Sequence, residues 1–507
     1  MSAANGLPAD GTAAPLVVRV DSGDHIGLGH LSRCLTLADA WPGEVLFISR
    51  AFGGNGLAWL DGRHRLHRLA APSPSPSGAD GTSPWLRVPV EQDAAETLAA
   101  LASQPGPAVL VVDHYGIDAR WHRRLTAARP DVALVAIDDL ADRPLHVDLV
   151  LDQSPQRDAA VYLPHVPPWT RVLAGSAYAL LRPEFGGHRW RDGSDRLVLS
   201  LGGLDTDGNH LTVLGWLDDL RARVEGFSPE VDLPISGAAP HLSSLRDLAA
   251  DRPWLHLHVD CTAMAALMAG ARVAVGAPGT SALERCAVGV PGVQLVVADN
   301  QRYNAAALVR AGAAADAELA DRAGFEATLI ELWTDADARR QLSERARALC
   351  DGGGAARVVD ELRRLEPVAL VPMVASDRDL LFRWQCEPGA RTYARSTEPP
   401  RPDEHAQWYA AAMRDPARRL WKVVIGDEPV GMVRLDEPDG EVSILLAAAA
   451  RGRGVGVRAL RALQRHTADR QLLAEIHPDN TASRRAFTNA GYRPVDATWF
   501  RLDPVTA

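Results

Sequence analysis

The chain has 507 residues, 47% hydrophobic and 23% charged, with a formal net charge of -10 at pH 7. That length suits about three compact units, and the composition is that of ordinary globular domains. With no basic patch, nucleic acid is not expected as a partner, whereas a small anionic ligand can still find a locally positive site on an acidic protein.

The opening MSAANGLPADGTAAP carries neither the basic nor the apolar region of a secretory leader and reads as a disordered tail over 1–15. LVVRVDSG then reads as a buried strand ending in small turn residues. A glycine-containing loop from Asp21 to Gly29 leads into helical periodicity over His30 to Trp41, and EVLFIS is a second strand. Residues 71–84, APSPSPSGADGTSP, have the chemistry of a surface loop. A helix over 91–103 and the strands AVLVVDHY and VALVAIDD complete an alternation that predicts a parallel sheet with covering helices.

The pattern restarts after Arg191. RLVLSLGG is a strand entering a glycine turn, a helix follows near 208–224, and VAVGAPGTS, a helix at 281–288 and GVQLVVAD come later. Two Rossmann-like doubly wound halves are expected, 16–190 and 191–364, facing one another across a cleft and binding ligands beyond the carboxyl ends of their strands. After a helix-rich stretch at 335–364, EPVALVPMVASDRD marks a new start. A helix near 403–413, the strands WKVVIG, PVGMVRL and EVSILLAA, a helix from 453, LLAEIH, a helix from 481 and a last strand make a mixed α+β domain over 365–507.

No stretch approaches about 18 uninterrupted apolar residues, so no membrane span is expected. The five cysteines, Cys34, Cys261, Cys286, Cys350 and Cys386, are odd in number and show no C-x-x-C spacing. Disulfides and structural zinc are therefore not expected, and the natural setting is a reducing cytoplasm.

Three clusters carry chemistry. In Gly27-Leu28-Gly29-His30 the glycines allow a tight turn and a close backbone approach to a ligand. The helix behind them offers free N–H groups and a positive dipole end to an anion. His30, at the helix start, can act as a general base near neutral pH or serve simply as a cap. In Gly276-Ala-Pro-Gly-Thr-Ser-Ala-Leu-Glu284 a glycine turn opens a helix after a strand, which suits a diphosphate. There Gly279 makes the turn, Thr280 and Ser281 add hydroxyls, and Glu284 can accept from a ribose diol or stand as a solvated glutamate. Asn300 and Gln301 follow the next strand and can reach substrate polar groups, and Gly202 and Gly203 form a further tight turn. No D-x-D-like pair stands at a strand end. Asp21, Asp24 and Asp113 read as solvated loop aspartates, so no metal is expected.

VDSGDHIGLGHLSRCLTLADAW resembles the opening of the hydrolases of pseudaminic acid biosynthesis, which remove UDP from UDP-2,4-diacetamido-2,4,6-trideoxy-β-L-altropyranose. VVDHYGID, IDDLADRPLHVDLVLDQ, YALLRPEF, LSLGGLDTDGN, APGTSALERCAVGVP and ADNQ match in order, so the resemblance covers about 16–345. It implies a glycosyltransferase-B (MurG-like) fold, His30 as the base that activates water, and a nucleotide held by the second half. Asp113 and Tyr115, at a strand end, are candidates for the sugar side.

The third cluster, Arg451-Gly452-Arg453-Gly454-Val455-Gly456, resembles the R/Q-x-x-G-x-G/A pyrophosphate loop of GNAT acetyltransferases, in which N–H groups at a helix start hold phosphate. AEIHPDNTASRRAFTNAGYRP resembles the closing unit of that family, with Asn480, Ser483, Gly491 and Tyr492 in matching places. Acetyl-CoA is the implied co-substrate, held by 451–456, Asn480 and Ser483. Phe487 stands where many members have the tyrosine that protonates the CoA thiolate; Tyr492, another group or water would take that role. Glu441 and Glu475 are candidate bases for the amine.

Together the resemblances imply consecutive steps: N-acetylation of a 4-amino UDP-sugar, then hydrolysis to UDP and the free diacetamido sugar. The alternatives are a glycosyltransferase of the same fold, and a non-catalytic nucleotide-sugar sensor whose acetyltransferase modifies proteins.

Overall fold

The computed structural model describes residues 14–72, 83–104, 108–129, 131–167, 170–365, 368–425, 428–437, 439–467 and 470–504. The expected tail through residue 13 and the loop residues 73–82 lie outside the described residues, as do the side chains of Asn300 and Arg465.

Seven strands form the first sheet: β1 (Leu16–Val20), β2 (Val45–Arg50), β3 (Arg65–Leu69), β4 (Ala108–Asp113), β5 (Val132–Ile137), β6 (Leu149–Asp152) and β7 (Arg171–Ala174). Their order is β3-β2-β1-β4-β5-β6-β7. β1, β2, β4 and β5 are buried along their whole length, which is why they read as continuous apolar runs instead of alternating ones. The winding reverses between β1 and β4, where Val20 pairs with Asp113. The loops that follow these two strands therefore leave the sheet side by side, at the position where doubly wound sheets bind ligands.

The second sheet is built the same way from β8 (Arg196–Ser200), β9 (Glu230–Ile235), β10 (Leu255–Val259), β11 (Val273–Gly276), β12 (Gly292–Leu295) and β13 (Ala315–Ala317). Its order is β10-β9-β8-β11-β12-β13, with the reversal between β8 and β11. One face packs against helices Asn209–Arg223 and Arg322–Thr334, the other against Met264–Gly270 and Thr280–Val288.

The third sheet is mixed: β14 (Val368–Pro372), β15 (Arg418–Ile425), β16 (Glu428–Asp436), β17 (Glu441–Leu446), β18 (Leu472–Glu475), β19 (Arg493–Pro494) and β20 (Trp499–Leu502), in the order β14-β15-β16-β17-β18-β20-β19. β14 to β17 are antiparallel. β17 and β18 are parallel and register only at Glu441 and Leu473, after which they part. The expected class, two Rossmann-like halves and an α+β domain, is the one found. Among the described residues no helix is long and apolar enough to cross a membrane.

The described residues group into two compact units. One comprises Met1–Leu151, Ala160–Val172 and Asp360–Ala507, the other Asp152–Ala159 and Leu173–Val359. The third sheet thus shares a unit with the first. There Arg461, on helix Val455–His466, donates to Asp148 Oδ1 at 3.1 Å, and Arg171 pairs with Glu361 at 2.5 Å.

Beneath the first sheet lies a buried ionic cluster. Asp93 accepts from Arg19 (2.6 and 3.2 Å), Arg50 (2.7 Å) and Trp121 Nε1 (3.0 Å). Burial alone would raise its pKa; Arg19 and Arg50 outweigh that and hold it below the usual range. A carboxyl depressed on folding contributes stability above its unfolded pKa and loses it as the pH falls through the folded value. Asp93→Asn is expected to cost about 3–5 kcal/mol at neutral pH, because two buried guanidinium groups lose a counter-charge. Urea unfolding should show that difference shrinking as the solution is acidified through the carboxylate range.

Candidate functional site

His30 is the second residue of helix Gly29–Ala40, which starts directly after a turn in which Gly27 has φ 82° and its N–H donates to Gly23 O. The side chain is 9% exposed. Its Nδ1 lies 2.6 Å from Asp113 Oδ1, at the end of β4. Arg33, one helical turn on, grips the same carboxylate with Nε and Nη2, both at 2.6 Å, and Cys34 Sγ approaches it at 3.4 Å. Burial would raise the Asp113 pKa, but Arg33 and His30 hold it well below the ordinary carboxylate value. An ionised Asp113 can only accept, so Nδ1 must carry the proton and Nε2 is left as the basic nitrogen. The geometry therefore selects the tautomer a general base needs.

The aspartates differ from the sequence reading. Asp24 is exposed as expected, but Asp21 and Asp113 are buried and not solvated. Each is consumed by protein donors: Asp21 accepts from Arg19 (2.5 and 2.9 Å) and from Arg50 N (2.7 Å), and His114 Nε2 lies 3.3 Å away. The strand-end position suggested exposure; Arg19 stands two residues from Asp21, but Arg50, Arg33 and His30 come from distant segments. Tyr115 is half-buried, edge-on to the His30 ring at 4.7 Å, and its hydroxyl donates to Asp139 at 2.7 Å. Asp139 also accepts from Arg33 Nη1 at 3.2 Å. Arg33, Asp139 and His114 were not singled out in the sequence, although Arg33 stands three residues after His30 and so shares its helix face.

In the other unit, the turn Gly276–Gly279 opens helix Thr280–Val288 at the second winding reversal. The Thr280 and Ser281 side chains stand at the helix start, whose first N–H groups have no partner within the helix. Arg285 fixes the turn from below, donating to Ala277 O at 3.0 Å. A Cβ on Gly276 would fall 2.3 Å from Arg285 Nη1, so only glycine fits there. Burial pushes the Glu284 carboxyl up to about 7, against the opposing charges of Arg182 and Arg285. Gly202 (φ 126°) and Gly203 lie in the loop after β8, Gly203 O accepting from Ser236 N. That loop is pinned by Asp205, which accepts from the backbone of Asn209 and His210. Gln301 turns back to accept from Val297 N at 3.2 Å, and Asn300 falls in the single turn Asp299–Gln301.

In the third domain Gly452 and Gly454 have φ of 74° and 76°, and Gly454 caps helix Val455–His466. Gly456 packs toward Leu446 and Ile444 of β17. Arg451 turns inward, bonding Leu446 O, Pro388 O and Glu387, so it shapes the loop. Val455 is buried and Arg453 exposed. Asn480 caps helix Thr481–Asn489 by accepting from Ser483 N at 3.0 Å. Glu441 and Glu475 are bridged by Arg395 at 2.9 and 2.6 Å. Tyr492 does not fit the role of acid: its hydroxyl is buried, has no partner among the described residues, and its ring packs edge-on against buried Phe487 at 4.9 Å.

Residues 368–493 match the family model described as an acetyltransferase (GNAT) domain. A stretch of 255 residues, 50% of this chain, is 23% identical to the UDP-2,4-diacetamido-2,4,6-trideoxy-beta-L-altropyranose hydrolase of Campylobacter jejuni and covers 81% of that protein. Among solved structures, Acinetobacter baumannii MurG matches over 69% of this chain and 99% of its own, with 14% identity and a TM-score of 0.47. AAC(6')-Ib, solved with parmomycin and acetyl-CoA, matches over 26% of this chain and 92% of its own, with 18% identity and a TM-score of 0.25. The chain thus joins a stretch similar to a nucleotide-sugar hydrolase to an acetyltransferase (GNAT) domain.

Proposed function

We propose that the chain hydrolyses a UDP-linked 2,4-diacetamido-2,4,6-trideoxyhexose to UDP and the free sugar, and that its C-terminal domain N-acetylates the 4-amino UDP-sugar precursor, two consecutive steps in pseudaminic acid biosynthesis. The observation that carries this reading is the 2.6 Å Asp113–His30 pair. Nε2 accepts a proton from water as the water oxygen attacks the anomeric carbon, and the electron pair of the breaking C–O bond leaves with the diphosphate. Asp113 stabilises the imidazolium that forms. In the other unit, the start of helix Thr280–Val288 with the Thr280 and Ser281 hydroxyls suits a diphosphate, and Glu284 suits a ribose diol. Gly27 and Gly29 keep the backbone beside His30 open to the substrate. Acetyl-CoA supplies an activated acyl group, and the parting of β17 from β18 and the glycine loop fit it. Glu441 and Glu475 take the amine proton.

His30→Ala is expected to lower UDP release by about 10²–10⁴-fold while UDP affinity is kept. The assay contains no sugar acceptor, so turnover in the wild type also separates hydrolysis from glycosyl transfer.

Glu284 gives a pH signature. A diol donates to the ionised carboxylate, so binding lowers a pKa that stands near 7 in the free protein and releases a proton. UDP affinity is then expected to rise with pH through about 7, by at most about tenfold per unit. Calorimetry at pH 6 and 8 should show a rise in the wild type that is clearly smaller in Glu284→Gln, where only the terminal phosphate of UDP, with a second pKa of about 6, still titrates.

Gly454→Val places a branched side chain at φ 76°. Calorimetry should show acetyl-CoA affinity lost, with hydrolysis of the acetylated UDP-sugar unchanged.

A further inference from the structure

Trp85 is 37% exposed, yet its backbone is anchored on both sides. Ser83 Oγ accepts from its N–H at 3.3 Å, and Arg87 N closes the turn on Ser83 O at 3.0 Å. Arg87 adopts φ 55°, a left-handed conformation that is unfavourable for a side chain of that size. The Trp85 carbonyl meets His25 Nε2 at 3.1 Å, on the loop that leads into His30, and the His25 ring is edge-on to Phe52 at 4.6 Å. On the other side the turn is pressed onto Gly116. A Cβ there would lie 2.7 Å from Ser83 Oγ and 3.0 Å from Leu86 Cβ, so glycine is required for the approach. Gly116 belongs to the loop that follows Asp113 and carries Tyr115. A strained turn, a required glycine and two backbone hydrogen bonds thus anchor the residue that carries this exposed indole between the loops that build the site.

The rings run continuously to the base. Trp85 is edge-on to Tyr115 at 5.4 Å, and Tyr115 is edge-on to His30 at 4.7 Å. The Tyr115 hydroxyl donates its proton to Asp139, so the residue offers its ring and, at the hydroxyl, an acceptor but no donor. An aromatic wall favours C–H and methyl groups and leaves a hydroxyl pressed against it without a partner. A sugar that lacks hydroxyls at C-2, C-4 and C-6 and carries acetamido and C-6 methyl groups has that chemistry.

We infer that Trp85, with Tyr115, is the specificity wall that reads the apolar substituents of the sugar beside His30; this rests on the proposal that His30 serves a UDP-sugar. Trp85 positions and selects substrate and takes no part in proton transfer. The test uses the full chain, with Trp85→Ala and Trp85→Phe, on two substrates: the UDP-linked 2,4-diacetamido-2,4,6-trideoxyhexose and UDP-N-acetylglucosamine, which has hydroxyls at C-4 and C-6. Trp85→Ala is expected to raise KM for the trideoxy substrate about tenfold, the scale of one lost aromatic contact. Its kcat should stay within about twofold, and the preference between the substrates should narrow. Trp85→Phe should recover most of the KM. UDP affinity and melting temperature, unchanged in both variants, report an intact fold. An active wild type whose KM and preference are untouched in Trp85→Ala overturns the wall alone. A wild type that releases UDP from neither substrate overturns the hydrolase reading, and the wall with it.

Discussion

Asp113 ends β4 with its carboxylate sealed from water, and it takes its partners from a single helix. His30, Arg33 and Cys34 stand at spacings of three and four, which brings them onto one helix face, and all three point at the same two oxygens. A buried charge without such partners is untenable, so the carboxylate fixes the rotation of helix Gly29–Ala40 and the orientation of the imidazole. The rest of the site follows. Arg33 reaches past Asp113 to Asp139, Asp139 holds the Tyr115 hydroxyl, and Tyr115 sets the aromatic rings. The tautomer of His30 and the anchoring of the Tyr115 hydroxyl both follow from one demand for charge compensation.

The second winding reversal solves a different problem with a different device. No carboxylate organises the turn Gly276–Gly279. Arg285, itself buried, holds the turn by its carbonyls, and burial brings its pKa down to about 10. The arrangement leaves the helix N–H groups for an anion and places Glu284 where its protonation is sensitive near neutrality.

Strand and helix periods, glycine turns and the restart after Arg191 were legible because each is a local pattern. His30 was legible because a Gly-His step at a helix start is local too. The burial of Asp21 and Asp113 was not, since their donors are Arg19, Arg50, Arg33 and His30, most of them distant in sequence. Arg285 gave no signal, for an arginine after a helical glutamate looks like surface charge. Tyr492 misled in the opposite sense: its place in a motif suggested chemistry, whereas packing against Phe487 makes it core. Asn480 carries the simplest lesson, because an asparagine three residues before Ser483 is first of all a helix cap.

The grouping of the chain into units has a consequence for the order of folding. The unit that contains β1 also contains β14 to β20, and the chain between them folds into the other unit before it returns. The Arg461–Asp148 pair therefore spans 313 positions of sequence. Contacts of such separation carry a large loop-closure entropy and close late. During synthesis the second sheet emerges and can collapse on its own local contacts while Asp148 still lacks its partner Arg461. The third sheet follows the second in the chain, and with it Arg461 reaches the unit that holds His30.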